Sequence, residues 1–210
     1  MTLNEMKTFT LSTIFFFIAF FSHGQKIFIG VAKYRMAVVG GPDNDSSTIV
    51  FDKNRILQTL YLPDEKDPKK VNELNIISDF STNKQYTLNK ISKAYKVDTL
   101  INTKQYDFID TKKIMLVKGG VCFHLKADSS QIDKSNMLRA DCLAAIDYMN
   151  ENIREFWFMG FQPIIIDSKI VMDFIVTEPD GTKPRVYIFD ISARTNVDEY
   201  FDLTGYKEIK

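Results

Sequence analysis

The chain is short of the residues that most chemistries need. Its 210 residues include two histidines, two cysteines and one tryptophan, and 27 basic residues stand against 27 acidic ones. Each shortage excludes something. Balanced charge gives no electrostatic footprint for a polyanion, so no nucleic-acid partner is expected. Two cysteines are too few for a disulfide-stapled scaffold, and 9 glycines with 6 prolines rule out a collagen-like or low-complexity chain. What is present, 45% hydrophobic residues, describes an ordinary folded domain long enough to bury a sizeable core.

Long apolar runs are also scarce, and the main one is at the start. Lys7 precedes the run Ile14 to Phe21, and small residues stand at Ser22 and Gly24 just before Gln25. A basic n-region, a short h-region and small residues at −3 and −1 make a secretory signal peptide. The alternative, a membrane anchor, needs about 20 apolar residues, and Leu11 to Phe21 falls short. Residues 1–24 are therefore expected to be removed, leaving a single domain, 25–210, that is exported to the periplasm or secreted. No later stretch reaches membrane-spanning length. The first cysteine is Cys122, so no lipid anchor is expected at the cleavage point.

From Lys26 onward the pattern is mostly alternation, which marks strands with one buried face. Phe28, Ala32, Tyr34, Met36 and Val38 share one face of a first strand, with Ile27, Ile29, Val31, Lys33 and Arg35 on the other. Further strands are expected at Thr48–Phe51, Ile56–Leu62, Glu73–Phe80, Gln85–Leu88, Ala94–Leu100, Ile114–Val117 and Val121–Lys126. The segment from Pro63 to Lys70, with two prolines and six charges, reads as a solvated loop. Leu138, Cys142, Ala145, Met149 and Ile153 recur at steps of three and four behind Ser135, so Asn136 to Asn150 reads as an amphipathic helix, although alternation also fits. Near the end, Asp180-Gly181 turns the chain between Ile170–Thr177 and Val186–Ile191, a hairpin apolar on both sides. The fold class is mainly β (α+β): a curved antiparallel sheet or incomplete barrel with one or two covering helices.

Few chemistries survive this inventory. Once the leader is removed His124 is the remaining histidine, and Cys122-Phe123-His124 puts thiol and imidazole on one strand face without a zinc-type spacing. Asp43-Asn44-Asp45 lacks the Gly and Glu positions of a calcium loop, and Gly119-Gly120 precedes a strand rather than a helix. No metal, cofactor or catalytic residue is assigned. Cys122 and Cys142 either form one disulfide or are two buried thiols. Phe156, Trp157 and Phe158, with Met172 and Phe174, form the candidate lining of an apolar ligand site.

The leader ending in Gly-Gln, the opening Gly30-Val31-Ala32-Lys33-Tyr34 and the closing Phe201-Asp202-Leu203-Thr204-Gly205-Tyr206-Lys207 resemble exported bacterial envelope proteins of the lipoprotein-carrier-like (LolA-like) fold. Thr111-Lys112-Lys113-Ile114 followed by Cys122, and Gly160-Phe161-Gln162-Pro163-Ile164-Ile165, are similar to segments of the related GLPGLI family. The resemblance implies an incomplete barrel that can hold an apolar ligand, and transfers no functional residue. The leading reading is a non-enzymatic envelope protein that binds a lipid, an acyl chain or a hydrophobic segment. The alternatives are a protein-interaction module of an envelope or secretion assembly, and a hydrolase using carboxylates.

Overall fold

The computed structural model describes residues 27–38, 43–63, 71–104, 107–117, 120–128, 130, 139–158 and 162–209. The expected leader, most of the charged loop, the cap at Ser135 and residues 160–161 of the GLPGLI-like segment lie outside them. The first six strands are β1 (Gly30–Val38), β2 (Asp43–Phe51), β3 (Arg55–Pro63), β4 (Val71–Asp79), β5 (Lys84–Asn89) and β6 (Ala94–Thr99). They form an antiparallel meander. There follow β7 (Phe108–Val117), β8 (Gly120–Ala127), β9 (Arg139–Met149), β10 (Phe156–Phe158), β11 (Gln162–Ile166), β12 (Lys169–Thr177), β13 (Pro184–Ala193) and a short β14 (Lys207–Glu208). The sheet order is β14-β6-β5-β4-β3-β2-β1-β13-β12-β9-β8-β7, with β11 pairing β12 and β10 in a side branch. β1 pairs β13 across the middle, where Lys33 opposite Asp190 makes a 3.0 Å ion pair.

The connection from β6 to β7 shows that this sheet must curve. Those strands are ten interstrand spacings apart, about 48 Å if the sheet were flat. Only nine residue steps, from Thr99 to Phe108, join them, and these reach about 31 Å at full extension. The inside of the curve holds one apolar cluster that gathers Phe51 and Ile76 from one arm with Cys122 and Ala145 from the other. Ile153, Phe156, Ile164 and Ile165, from β10, β11 and the turn before them, are buried in this cluster. A strand pair thus packs where the expectation placed a covering helix.

The expected helix over 136–150 is corrected by the structure, because its described part is β9. Ala140, Cys142 and Ala144 are buried at alternate positions as a strand requires, all on the face of the second cluster, then Ala145 is buried on the other face and the phase slips. Lys169 faces Met149 and Val171 faces Ala144, so β9 carries extra residues against β12. That bulge leaves Cys142, Ala145 and Met149 buried at steps of three and four, which imitates a helical face. Among the described residues the covering helices reduce to a 3-10 turn at Asp198–Phe201. Val197 and Phe201 pack on the outer side of β1 to β5 against Val31, Val50, Leu57 and Ile77. Arg55 secures this cover, its guanidinium 4.4 Å from the Phe201 ring centroid and 3.0 Å from Asp198. The closing segment of the resemblance therefore covers the second apolar face.

Two close approaches lock the central seam. A Cβ on Gly30 would lie 2.3 Å from the Ser192 carbonyl oxygen and 2.6 Å from the Phe28 ring, so only glycine fits there. The buried Tyr34 hydroxyl donates to the Val171 carbonyl at 3.1 Å, where the register of β12 shifts and a strand partner is lost.

Candidate functional site

The five residues expected to line a ligand site do not share one lining. A register shift between Val171 and Asp173 separates them: Met172 joins Phe156 in the inner cluster, while Phe174 joins Trp157 in a second cluster with Leu125, Cys142 and Val171. Strict alternation would have kept Met172 and Phe174 together. Phe156 meets Phe80 edge-on with ring centroids 5.2 Å apart, and Trp157 stacks on Phe108 at 6.0 Å. The Trp157 indole donates to Glu155 Oε1 at 2.8 Å. The side chain of Asn102, in the β6–β7 crossover, holds the backbone of this segment at both ends of its amide, donating to the Glu155 carbonyl at 2.7 Å and accepting from Trp157 N–H at 2.9 Å. Phe156, Trp157, Met172 and Phe174 are all buried. The side chain of Phe158 is outside the described residues.

Cys122 and Cys142 are free thiols, which favours the second of the two alternatives left by the sequence. In the β8–β9 ladder Cys122 faces Ala145 and Cys142 faces Leu125, an offset of three residues that places the sulfurs on opposite faces. Burial pushes the Cys122 thiol up to about 11, with the charges of Asp147 and Asp173 adding to it. Burial, then Asp173, holds Cys142 well above the usual thiol range. Neither is a nucleophile at neutral pH.

His124 lies in a polar bridge across the same strands. Its Nδ1 is 2.9 Å from Thr111 Oγ1 and its Nε2 is 3.1 Å from Asp141 Oδ1, which also accepts from Arg139 at 2.8 Å. The order Thr, His, Asp resembles a nucleophile relay. The Thr111 hydroxyl, however, donates to the carbonyl of His124 at 2.8 Å. That hydroxyl is shared between the backbone carbonyl and the ring, and the imidazole ties β7, β8 and β9 together.

The features that sequence reading missed are on the surface. β7 ends the sheet, and among the described residues no strand pairs its outer edge. Ile109, Ile114, Met115 and Leu116 on this strand are exposed, Leu116 by 77%. The signal was visible as four consecutive apolar residues, 114–117, but a run of that kind reads as a buried strand until the sheet order shows it at an edge. At the other end of the sheet an open groove of about 720 Å³ is lined by Val71, Leu74, Leu88, Ile91, Ala94 and Ile209 among others. Among the described residues there is no group of three or more His, Cys, Asp or Glu that could hold a metal ion, and no helix long and apolar enough to cross a membrane.

No protein-family profile and no curated protein sequence matches the chain. Solved structures do resemble it. The crystal structure of PNGF-II in a C2 lattice superposes with a TM-score of 0.55 at 12% identity, covering 86% of this chain and 30% of that one. The same protein in P21 gives 0.52 at 13% identity, with 87% and 31% covered. This chain thus spans less than a third of PNGF-II, and the likeness is one of fold. A LolA superfamily protein from Nitrosomonas europaea matches at a TM-score of 0.35 and 11% identity, covering 85% of this chain and 91% of that one, too loose a superposition to add to the argument. The fold expected from the sequence is met as architecture: a large, open, curved, mainly β, antiparallel sheet.

Proposed function

We propose that the protein is an exported, non-enzymatic envelope protein that binds an extended hydrophobic segment of a partner protein along the free edge of β7. The observation that carries this reading is the exposure of Ile114, Met115 and Leu116 on a strand that ends the sheet. An uncovered apolar edge strand is normally blunted, because its unpaired N–H and C=O groups recruit another strand. Here the protection stops halfway. A bulge between Asp110 and Lys113, with Lys112 at φ 62°, guards the first half, and the second half has no such device. Added main-chain hydrogen bonds would supply affinity, and Ile114 and Leu116 on one face with Met115 on the other would select apolar residues at alternate positions. The segments similar to the GLPGLI family, 111–114 and Cys122, fall on β7 and β8, which build this edge.

The test is photo-crosslinking from position 115 in the exported protein, with I114K/L116K introduced alongside the crosslinker as the variant. The expected result is a discrete protein adduct, with hydrogen exchange of the β7 amides slowed in the complex and capture reduced at least about ten-fold in the variant at unchanged circular dichroism. Capture that survives both lysines would overturn the reading. So would an acyl lipid recovered by organic extraction together with a shift of Trp157 emission on fatty-acid titration. That pair of results would move the site to Phe156, Trp157, Phe158, Met172 and Phe174.

A further inference from the structure

We propose that His124 makes the hold on β7 pH-sensitive, so that protonating this one imidazole tightens the strand whose free edge was assigned to a partner segment. The consequence for capture rests on that assignment, whereas the effect on β7 itself does not. Three contacts meet at the bulge of β7. Thr111 Oγ1 is 2.9 Å from His124 Nδ1 and 2.8 Å from the His124 carbonyl oxygen, and His124 Nε2 is 3.1 Å from Asp141 Oδ1. They must be made with one hydroxyl hydrogen and whatever hydrogens the ring carries. A neutral ring carries one. If it sits on Nε2, facing Asp141, the Thr111 hydrogen serves either the ring or the carbonyl, and the other contact fails. If it sits on Nδ1, facing Thr111, the bare Nε2 meets the Asp141 carboxylate lone pair to lone pair. The imidazolium carries both hydrogens, so Nδ1–H donates to Thr111, Thr111 donates to the carbonyl, and Nε2–H donates to Asp141. Only the charged ring makes all three contacts at once.

The groups around the ring keep their own charges fixed while it titrates. Lys113 of β7 stands opposite His124 in the ladder, and Lys126 of β8 stands opposite Asp141. Arg139 of β9 pairs with Asp141 from an exposed position. Asp110 and Lys112, at the bulge, bond to each other at 2.9 Å. On β12, Asp173 faces Leu143, the residue opposite His124, and is held by Arg185 at 2.9 Å. Cys122, two residues along β8, keeps its proton to about pH 11. Among these side-chain types only an imidazole ordinarily changes charge between about pH 5 and 8. The contacts matter because β7 leaves its ladder at this point: the register shifts between Asp110 and Lys113, with Lys112 at φ 62°. Side chains there stand in for interrupted backbone pairing. Losing one of them as pH rises frees the bulge, and a looser strand gives up more entropy when a partner segment orders it.

With residues 1–24 removed, His124 is the remaining histidine, so nitrogen NMR reads its ring directly. The experiment follows the ring nitrogens and the amide hydrogen exchange of β7 in the exported protein from pH 5 to 8. The ring should pass from doubly protonated to neutral in this range. At the same midpoint, protection of the β7 amides relative to those of β2 and β3 should fall at least about three-fold. H124Q and T111V, each with unchanged circular dichroism, should remove that fall. Partner capture should be at least about three-fold stronger near pH 5.5 than near pH 8, and level in T111V. A ring that keeps one protonation state throughout, β7 protection that does not follow the ring, or a fall that persists in both variants overturns the proposal. Protection that follows the ring with no partner captured at any pH supports the device and overturns only the reading of the edge. Capture that is equal at both pH values overturns the proposal and leaves that reading standing.

Discussion

Cys122 holds its proton in the folded chain to about pH 11, whereas an unfolded cysteine gives it up near 8.5 to 9. A folded-state pKa raised above the unfolded value means stability that is complete below pH 8.5 and lost as pH climbs towards 11. For this one thiol the loss is roughly 3 kcal/mol, and Cys142 and Tyr34, both pushed upward by burial, add to it. The urea midpoint should therefore fall steadily between pH 9 and 11, and C122A should flatten that slope. Iodoacetamide at pH 8 should label both thiols only after denaturation, and rapid labelling of the native protein, or a mass showing a bridge, would contradict the assignment. Gln58 sits between Ile49 and Ile76 on neighbouring strands, buried, with neither amide atom hydrogen-bonded among the described residues. Gln58→Met should raise stability by about 1 kcal/mol or more by removing an unmatched polar group. Destabilisation would show that a bound water satisfies the amide.

At the scale of elements, most strands were legible from alternation, and the misreadings on β9 and β12 trace to bulges. On β9 the extra residues between Ala144 and Met149 turned a period of two into steps of three and four. On β12 the shift at Met172 split residues that alternation had put on one face. A bulge is set by the partner strand, which no local pattern reports. The candidate site was less legible for a related reason: bulky residues such as Trp157 and Phe156 mark ligand linings and cores alike, and only the crossover through Asn102 decides that they are held in place. Asn102→Ala should cost about 1 to 2 kcal/mol and speed hydrogen exchange at the Trp157 amide, while the amides of β2 and β3 are unaffected. Uniform acceleration would mean that the clamp only adds to global stability.

For the whole molecule, the leader inferred from Lys7, Ile14 to Phe21 and Gly24 should be absent from exported protein, which should begin at Gln25. N-terminal sequencing checks this, and full-length chain recovered from membranes would contradict it. The central seam has a consequence for how such a chain reaches its fold. β1 closes against β13, so Gly30 waits for Ala193, 163 positions away. The meander β1 to β6 can assemble from neighbours, but its β1 edge stays bare until nearly the last strand has arrived. A topology of such high contact order folds slowly, on the order of milliseconds to seconds for small domains and longer with size, with its seam open to other chains meanwhile. A chain built this way depends on whatever shields that edge until β13 closes it.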